Sequence, residues 1–182
     1  HMRRPSAASR EQVFRDYDAG ARGRTVRRPG EAEAGGVARV PGSGRGVAVS
    51  ADGNPLRGLA DAYHAGARAV LEAARNVACV GGRPAAVTDC LNFGNPEVPE
   101  VFRQFRDAVR GVGEACRGLT LHARGGEALP VVSGNVSFYN QSASGKTVAP
   151  SPIVACIANV ADIAHCRSSH FKDAGDALLL IG

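Results

Sequence analysis

The sequence predicts an α/β domain in which helices pack on one face of a mixed sheet. Two amphipathic helical segments, residues 62–80 and 97–116, alternate with short β-branched segments along the 182-residue chain. In the helical segments apolar residues recur every three or four positions, whereas Pro84-Ala-Ala-Val-Thr88 is short and continuously apolar. Strands interleaved with amphipathic helices favour a sheet covered by helices.

The individual elements follow from local signals, in the order β-β-α-β-α-β-β-β. Strand-like segments lie at 37–40 and 46–50, and Asp52-Gly-Asn-Pro55 is a turn signal. Gly81-Gly82 ends the first helix, and Pro99 suits the first turn of the second. The rest of the order is a strand beginning at 130, a hairpin turn at 141–146, a return strand at 147–158, an irregular or partly helical segment at 159–176 and a final buried strand at 177–182.

The chain divides into three parts. His1-Met2 is typical of a tag remnant. Residues 3–44 are rich in Gly, Arg and Pro and predict an extended arm with one helical candidate at 10–17, and residues 45–182 form the domain. Because the chain stops on a core strand and a glycine, we expect it to be part of a longer protein, truncated there.

Composition excludes several classes of protein. No apolar run approaches the roughly 18 residues of a membrane span. Five cysteines, an odd number without any Cys-x-x-Cys pair, argue against a disulfide framework and against zinc, and favour a cytoplasmic setting. The net charge is +5, but the basic residues are scattered and not interleaved with aromatic ones, so nucleic acid is not favoured as a partner.

The stretch Pro130-Val-Val-Ser-Gly-Asn-Val-Ser-Phe-Tyr-Asn140 is the first candidate site. It changes abruptly from β-branched to small polar residues. Gly134 lets a backbone N–H approach a ligand, while Asn135 and Ser137 offer donors and acceptors suited to phosphate or metal–phosphate contacts. The alternative is a tight turn, since Gly, Asn and Ser are also turn residues.

Two further candidates come earlier in the chain. Glu72 and Asn76 are four residues apart on a helix, so one face presents a carboxylate and an amide oxygen that can share Mg²⁺; a solvated polar face is the alternative. Asp89 lies where a strand opens into a Gly/Asn loop, a common ligand position in α/β folds, although it could equally cap a turn.

Three motifs, taken together and in this order, resemble the phosphoribosylformylglycinamidine (FGAM) synthase family of purine synthesis. They are Glu72-Ala-Ala-Arg-Asn76, Thr88-Asp-Cys-Leu-Asn-Phe-Gly-Asn-Pro96 and Ser133-Gly-Asn-Val-Ser-Phe-Tyr-Asn140. More narrowly, residues 13–182 are similar to the amino-terminal subdomain of that enzyme's second synthetase half. Each motif alone is weak evidence, but their joint presence is specific.

The resemblance implies a fold like the amino-terminal domain of aminoimidazole ribonucleotide (AIR) synthetase, which pairs with a like domain to complete a β-barrel. It implies an enzyme that makes FGAM from formylglycinamide ribonucleotide, ATP and glutamine-derived ammonia. Carried over by motif, Asp89 and Gly134 contact ATP, Asn135 binds Mg²⁺ and Ser137 contacts the substrate. Glu72 and Asn76 match positions that hold Mg²⁺ on an auxiliary nucleotide.

The resemblance also implies partners: the first half of the synthetase, a glutaminase subunit or domain, and a possible homodimer through the sheet. The family's catalytic base, a His, belongs to the first half, so none is assigned here. Two departures stand out. Ala34 occupies the position of a Mg²⁺-binding Asp of the auxiliary site, and residues around 121–129 extend a connection that is short in the family. A non-catalytic dimerisation or scaffold domain of the same superfamily is the alternative function.

Overall fold

A six-stranded mixed sheet organises the domain. The structure, a computed structural model, describes residues 20–28, 34–121 and 125–180. The sheet has the order β1-β2-β3-β8-β4-β7. Its strands are β1 (Thr25–Arg27), β2 (Gly36–Arg39), β3 (Gly46–Asp52), β4 (Arg83–Asn92), β7 (Val131–Ser137) and β8 (Ser151–Val160). A separate two-stranded hairpin, β5 (Thr120–Leu121) with β6 (Glu127–Ala128), lies between the last helix and β7.

Three helices connect these strands. Helix α1 (Pro55–Ala60) begins at Asn54, whose side chain accepts hydrogen bonds from the backbone N–H groups of Leu56 and Arg57. Helix α2 (Ala62–Cys79) begins at Asp61, which caps the N–H of His64. Helix α3 (Pro99–Gly118) has its proline in the first turn, as predicted. The sequence indicates only a turn at Asp52-Gly-Asn-Pro55, so α1 is an addition.

Helices α2 and α3 cover one face of the sheet, which confirms the predicted α/β class. Alternate residues of β8, from Pro152 to Val160, are buried against the helices, while those between them face away. The helices cross closely because Gly66 and Gly111 lie at their contact. A Cβ on Gly111 would lie 2.9 Å from the Tyr63 carbonyl carbon.

Strand pairing corrects the predicted hairpin between the strand at 130 and the strand at 147–158. Strand β4 lies between them: β7 pairs with β4 in parallel, and β8 pairs antiparallel with both β3 and β4. Between β7 and β8 there is an isolated bridge from Gln141 to Thr147. The parallel β4–α3–β7 crossover explains the difference, because the connecting helix carries β7 to the far side of β4.

The predicted buried strand at 177–182 is also wrong for the part that the structure describes. Residues 177–180 form no strand, and Leu179 and Leu180 are 86% and 99% exposed. No neighbouring strand of the described chain offers them hydrogen bonds or an apolar surface. Residues 181–182 lie outside the described residues.

The segment predicted as an arm contributes strands to the sheet. Strands β1 and β2 both lie within residues 3–44, and β2 pairs with β3 from Gly36 to Arg39. The helical candidate at 10–17 lies outside the described residues. The tag remnant and the boundary at residue 44 stay predictions.

All five cysteines are free thiols. Burial, with the neighbouring Cys116, raises the pKa of the Cys156 thiol to about 11, so it is an unreactive core residue. No helix in the described ranges is long and apolar enough to cross a membrane.

Candidate nucleotide and metal site

Asp89 and Gly134 lie side by side on neighbouring parallel strands. Asp89 of β4 is the register partner of Gly134 of β7. A Cβ on residue 134 would lie only 2.7 Å from the Asp89 carboxyl carbon. A side chain at 134 would therefore displace the Asp89 carboxylate, which occupies the space that it would need. Asp89 and Gly134, the two residues that the resemblance assigns to ATP, are therefore in direct contact, and the position of one depends on the other.

The Asp89 carboxylate is half-buried and makes no hydrogen bond or ion pair with any described residue. Burial raises the pKa of this carboxyl above its usual value. A carboxylate held in this way, without a countercharge, is suited to receive a cation or a hydrogen-bond donor of a ligand.

A shallow groove of about 480 Å³ lies beside this pair, between α3 and the edge strand β7. Leu91, Phe105 and Val109 form its apolar wall, and residues 131–136 of β7 form the other. Strand β7 is exposed along nearly its whole length and has no neighbour on its outer side among the described residues. Such a groove can bind a planar ring. The apolar wall packs against the face of the ring, and the free backbone groups and the carboxylate bind its polar edge.

Asn135 and Ser137 point to the opposite face of the sheet from Asp89. Side chains alternate along a strand, and the Ser133 hydroxyl donates to Thr88 Oγ1 at 2.7 Å on that open face. Asn135 pairs with Cys90 and Ser137 with Asn92 on the same side. The predicted set is therefore adjacent in register but divided between two faces at the edge strand.

Ser137 belongs to a network that joins the loops after β4 and β7. The Asn140 amide donates to the carbonyl oxygens of Ser137 and Phe93 at 2.8 and 3.0 Å, and Ser137 Oγ donates to Asn140 Oδ1 at 3.2 Å. Tyr139, between them, has a φ of 58°, a left-handed conformation that costs a non-glycine residue about 1–2 kcal/mol. The network holds this strained turn and fixes the Ser137 hydroxyl. Asn140 was not singled out from the sequence.

A second cluster forms around Glu72 and Asn76, and it includes a residue that the sequence did not point to. Asn76 Nδ2 donates to Asp52 Oδ2 at 2.6 Å. Burial, followed by the Glu72 charge, raises the pKa of the Asp52 carboxyl, although the Asn76 hydrogen bond opposes the rise. Asp52 was part of a turn signal in the sequence, and only the fold brings it to the helix.

Ala34 lies close to this cluster. The next residue, Gly35, approaches α2: a Cβ there would lie 3.7 Å from the Asn76 carbonyl oxygen and 3.0 Å from that of Val49. Ala34 itself is half-buried against the core. At position 34 this chain therefore has a half-buried methyl group and no carboxylate.

The two clusters share one row across the sheet. Asp52 and Asp89 are both register partners of Val154 on β8, one from each side. They are therefore two strand spacings, about 10 Å, apart and face the helices. Helix α2 packs over β8 between them. The structure thus has two carboxylate sites flanking α2, rather than one continuous wall.

The donor chemistry of the second cluster fits a hard cation. Two carboxylates and an amide oxygen are oxygen ligands of the kind that Mg²⁺ accepts, usually together with water or phosphate. Within the described ranges there is no group of three or more His, Cys, Asp or Glu residues that could hold a metal. The Asp52, Glu72 and Asn76 set therefore needs further ligands. His122 lies outside the described residues, and His64 pairs with its own cap, Asp61, at 3.1 Å.

Known proteins show the same combination of sequence and fold. PurL, the phosphoribosylformylglycinamidine synthase subunit, of Methanothrix thermoacetophila is 49% identical over 178 residues, which is 98% of this chain and 23% of that protein. PurL of Moorella thermoacetica is 46% identical over the same shares. The chain therefore spans about a quarter of the length of the relatives it matches.

Solved structures agree. The PurLQS structure from Thermotoga maritima superimposes with a TM-score of 0.74 at 29% identity, over 90% of this chain and 25% of that one. PurL of T. maritima complexed with ATP gives 0.71 at 28% identity, over 90% and 25%. The same protein complexed with FGAR gives 0.68 at 29% identity, over 86% and 24%.

The family model "AIR synthase related protein, N-terminal domain" matches residues 32–160. That range begins just before β2, ends with β8 and contains every candidate site residue described above. This chain belongs to the family of AIR synthase related proteins and corresponds to their amino-terminal domain.

Proposed function

We propose that this chain is the amino-terminal subdomain of the second synthetase half of FGAM synthase. That enzyme makes FGAM from formylglycinamide ribonucleotide, ATP and glutamine in purine biosynthesis, in the cytoplasm. The observation that carries the proposal is the Asp89–Gly134 contact at an open strand edge, in a chain 49% identical to a PurL subunit over 98% of its length. The relative complexed with ATP supports a nucleotide as the ligand.

In this function Asp89 and Gly134 bind ATP, and the groove beside them receives it. Asn135 is a ligand of Mg²⁺, which neutralises phosphate charge when bound. Ser137, fixed by Asn140, contacts the substrate on the open face. Because Asp89 of β4 and Asn135 of β7 lie on opposite faces of the sheet, we propose that ATP and its metal extend around the edge strand β7.

The cluster of Glu72 and Asn76 is the metal part of an auxiliary nucleotide site. Asp52 joins these two residues and compensates in part for the missing carboxylate at Ala34. The Asn76–Asp52 hydrogen bond and the pKa of Asp52, raised by burial and then by the charge of Glu72, support this assignment, because a part-buried carboxylate beside a second carboxylate favours a bound cation.

The open face of the sheet pairs with a like domain to complete a β-barrel. Three apolar side chains on that face are substantially exposed: Val49, Ile153 and Ile157 at 45%, 38% and 38%. We propose the first synthetase half as the like domain, with a second copy of this chain as the alternative. A glutaminase subunit or domain supplies the ammonia, and the name PurLQS of the related assembly supports further subunits beside PurL.

A scaffold role is the second candidate, favoured by this same apolar face and by Ala34. Replacing Asp89 with Asn and, separately, Asn135 with Ala in the complete synthetase distinguishes the two. We expect ammonia- and ATP-dependent turnover to fall by about 10²-fold in each variant. The control is Asn159→Ala, near the carboxyl end of β8 on the same face as Asn135, and its turnover should be unchanged. Unchanged turnover in both site variants would support the scaffold.

The chain by itself should not turn over substrate, because it holds part of the site and has no assigned base. Sustained ammonia-dependent ATP hydrolysis by the purified chain would contradict this.

A further inference from the structure

One end of the sheet, opposite the candidate nucleotide site, is strongly basic. The nucleotide site lies in the carboxyl-terminal half of β4, beside the middle of β7. Around the amino end of β4 and the neighbouring chain ends, the fold gathers arginines that are scattered in sequence. This set, the basic end, consists of Arg24, Arg27, Arg39, Arg45, Arg83 and Arg167.

Backbone pairing establishes that these residues are neighbours. The Arg24 carbonyl accepts from Arg39 N at 2.7 Å, and the Arg45 carbonyl accepts from Val40 N at 2.9 Å. Arg83 pairs with Asn159, one residue before the partner of Gly46. From β1 to β4 the arginines span four strand spacings, about 19 Å.

The remaining two arginines of the set, Arg27 and Arg167, both lie near Cys166. Arg27 Nη2 donates to the Cys166 carbonyl oxygen at 3.1 Å, and the Arg167 amide lies 3.4 Å from the Val80 carbonyl oxygen. The charges of Arg27 and Arg167 both act on the Cys166 thiol. By register Arg39 shares the row of buried Val160 and Arg83 that of exposed Asn159, so the basic end extends around the strand ends onto both faces of the sheet.

Little neutralises this charge within the described residues. Asp162, the acidic residue of the segment that crosses this end, lies 3.8 Å from His165 and makes no ion pair with an arginine. Of the six guanidinium groups, Arg27 has a hydrogen bond to the described chain, and its Nε is buried without a partner. On helix α3, by contrast, Arg103 is paired with Glu100 and Asp107.

The kind of partner follows from what else lies there. The ring cluster of Phe93, Phe105 and Phe138 is at the carboxyl end of β4, so these rings offer no stacking platform beside the arginines. Guanidinium groups bind carboxylates in paired, planar hydrogen bonds. A row of separate arginines along strand ends suits an extended acidic segment.

We infer that the basic end is a docking surface for an acidic segment of another polypeptide, rich in Asp and Glu. It is independent of the nucleotide site, so its failure leaves the proposed function untouched.

The test uses fluorescence anisotropy with a labelled peptide of about twelve glutamates and a labelled single-stranded DNA of about equal charge. The variant Arg39→Gln/Arg45→Gln/Arg83→Gln is compared with Arg57→Gln/Arg68→Gln/Arg106→Gln, exposed arginines on the helices that remove the same net charge. We expect saturable peptide binding that weakens with salt and falls about tenfold in the first variant. The second variant should keep near-parental affinity, and both should keep the parental Tm.

Equal losses in the two variants would reduce the effect to net charge and overturn the inference. So would an absence of saturable peptide binding. Tighter binding of the DNA than of the peptide, lost in the first variant, would replace the acidic polypeptide by a nucleic acid.

Discussion

At the scale of single residues, Asp89 and Gly134 define each other's role. The carboxylate can stand at an exposed strand edge because residue 134 has no side chain, and its partial burial raises its pKa. Asp52 has a comparable position on the other side of α2, where it meets Glu72 and Asn76. Each carboxylate is kept in an environment that favours a bound cation over an isolated charge.

Gly134→Ala should displace the Asp89 carboxylate. We expect a stability loss of about 1–2 kcal/mol, because the half-exposed Asp89 can rotate away, and a much larger relative loss of ATP-dependent turnover in the complete synthetase. Gly118→Ala is the control, since a Cβ there meets nothing within 4 Å. Turnover equal in the two variants would show that the Asp89 position is not needed.

The raised pKa of Asp52 leads us to expect that the stability of the chain depends on pH and on Mg²⁺. Its pKa is raised above 3.8 in the folded chain, so the folded state retains the proton longer, and stability falls as pH rises from about 3.8 through the raised value. Asp52→Asn should therefore raise the Tm at pH 7 and make no difference below about pH 3. Glu127→Gln is the control, because Glu127 is an exposed carboxylate on β6, outside both candidate sites.

Added MgCl₂ should raise the Tm of the parent chain more than that of Asp52→Asn, because a ligand stabilises the state that binds it. An equal response of the two proteins would remove Asp52 from the metal site.

At the scale of elements, the α2–α3 crossing positions both carboxylate sites. Gly66 and Gly111 allow the helices to approach, and the Ser50 hydroxyl donates to the Ala73 carbonyl oxygen at 2.7 Å, tying α2 to β3. These contacts fix the distance between helix α2 and the sheet, and they place Glu72 and Asn76 beside Asp52.

Gly111→Ala should open this crossing. The added carbon would lie 2.9 Å from the Tyr63 carbonyl carbon and 3.1 Å from Ala67 N, both in the backbone of α2. We expect a loss of about 2–4 kcal/mol in the free energy of unfolding, measured by urea denaturation. Gly113→Ala on the same helix meets an Arg117 side-chain end at 3.3 Å and should be neutral or stabilising by up to about 1 kcal/mol. Similar values for both variants would contradict the close-packed crossing.

Local signals in the sequence are enough to predict some elements and not others. The spacing of apolar residues predicted α2 and α3 to within about two residues, because each helix has one buried face. Asn54 and Pro55 were interpreted as a turn, although the same pair is a helix start signal. Strand order could not be predicted: the hairpin was inferred from adjacency, and the β4–α3–β7 crossover separates β7 from β8.

The same limit applies to the candidate site. Asp89, Gly134, Asn135 and Ser137 were selected by residue type and resemblance, but their division between two faces depends on register. Asp52 was missed because its partners lie 20 and 24 residues away in the chain. The basic end was missed because its arginines converge only when the sheet forms.

At the scale of the whole molecule, charge and apolar surface are segregated. The carboxylates of both candidate sites face the helices, the basic end lies at the opposite end of the strands, and the side of the sheet away from the helices exposes Val49, Ile153 and Ile157. The last of these surfaces is the one that pairing with a like domain would bury.

Ile157→Asp tests this pairing. The side chain is 38% exposed in the single chain, so the Tm of the isolated chain should change little, whereas that of the complete synthetase should fall by several degrees if the face is buried there. Leu71→Asp on helix α2, at a position 36% exposed on the opposite side of the sheet, is the matched control. Equal effects of Ile157→Asp on chain and synthetase would leave the face unpaired.

The shared partner of Asp52 and Asp89 constrains how the sequence can change. Because both carboxylates pair in register with Val154, this residue fixes their common position along the strand direction. A one-residue deletion early in β8 would shift the pairing of both β3 and β4 and turn the buried side chains of β8 to the other face. Both carboxylate sites would then be lost in one step. A deletion in β7 would affect the Asp89 side alone, so the central strand should tolerate length changes far less than the edge strand.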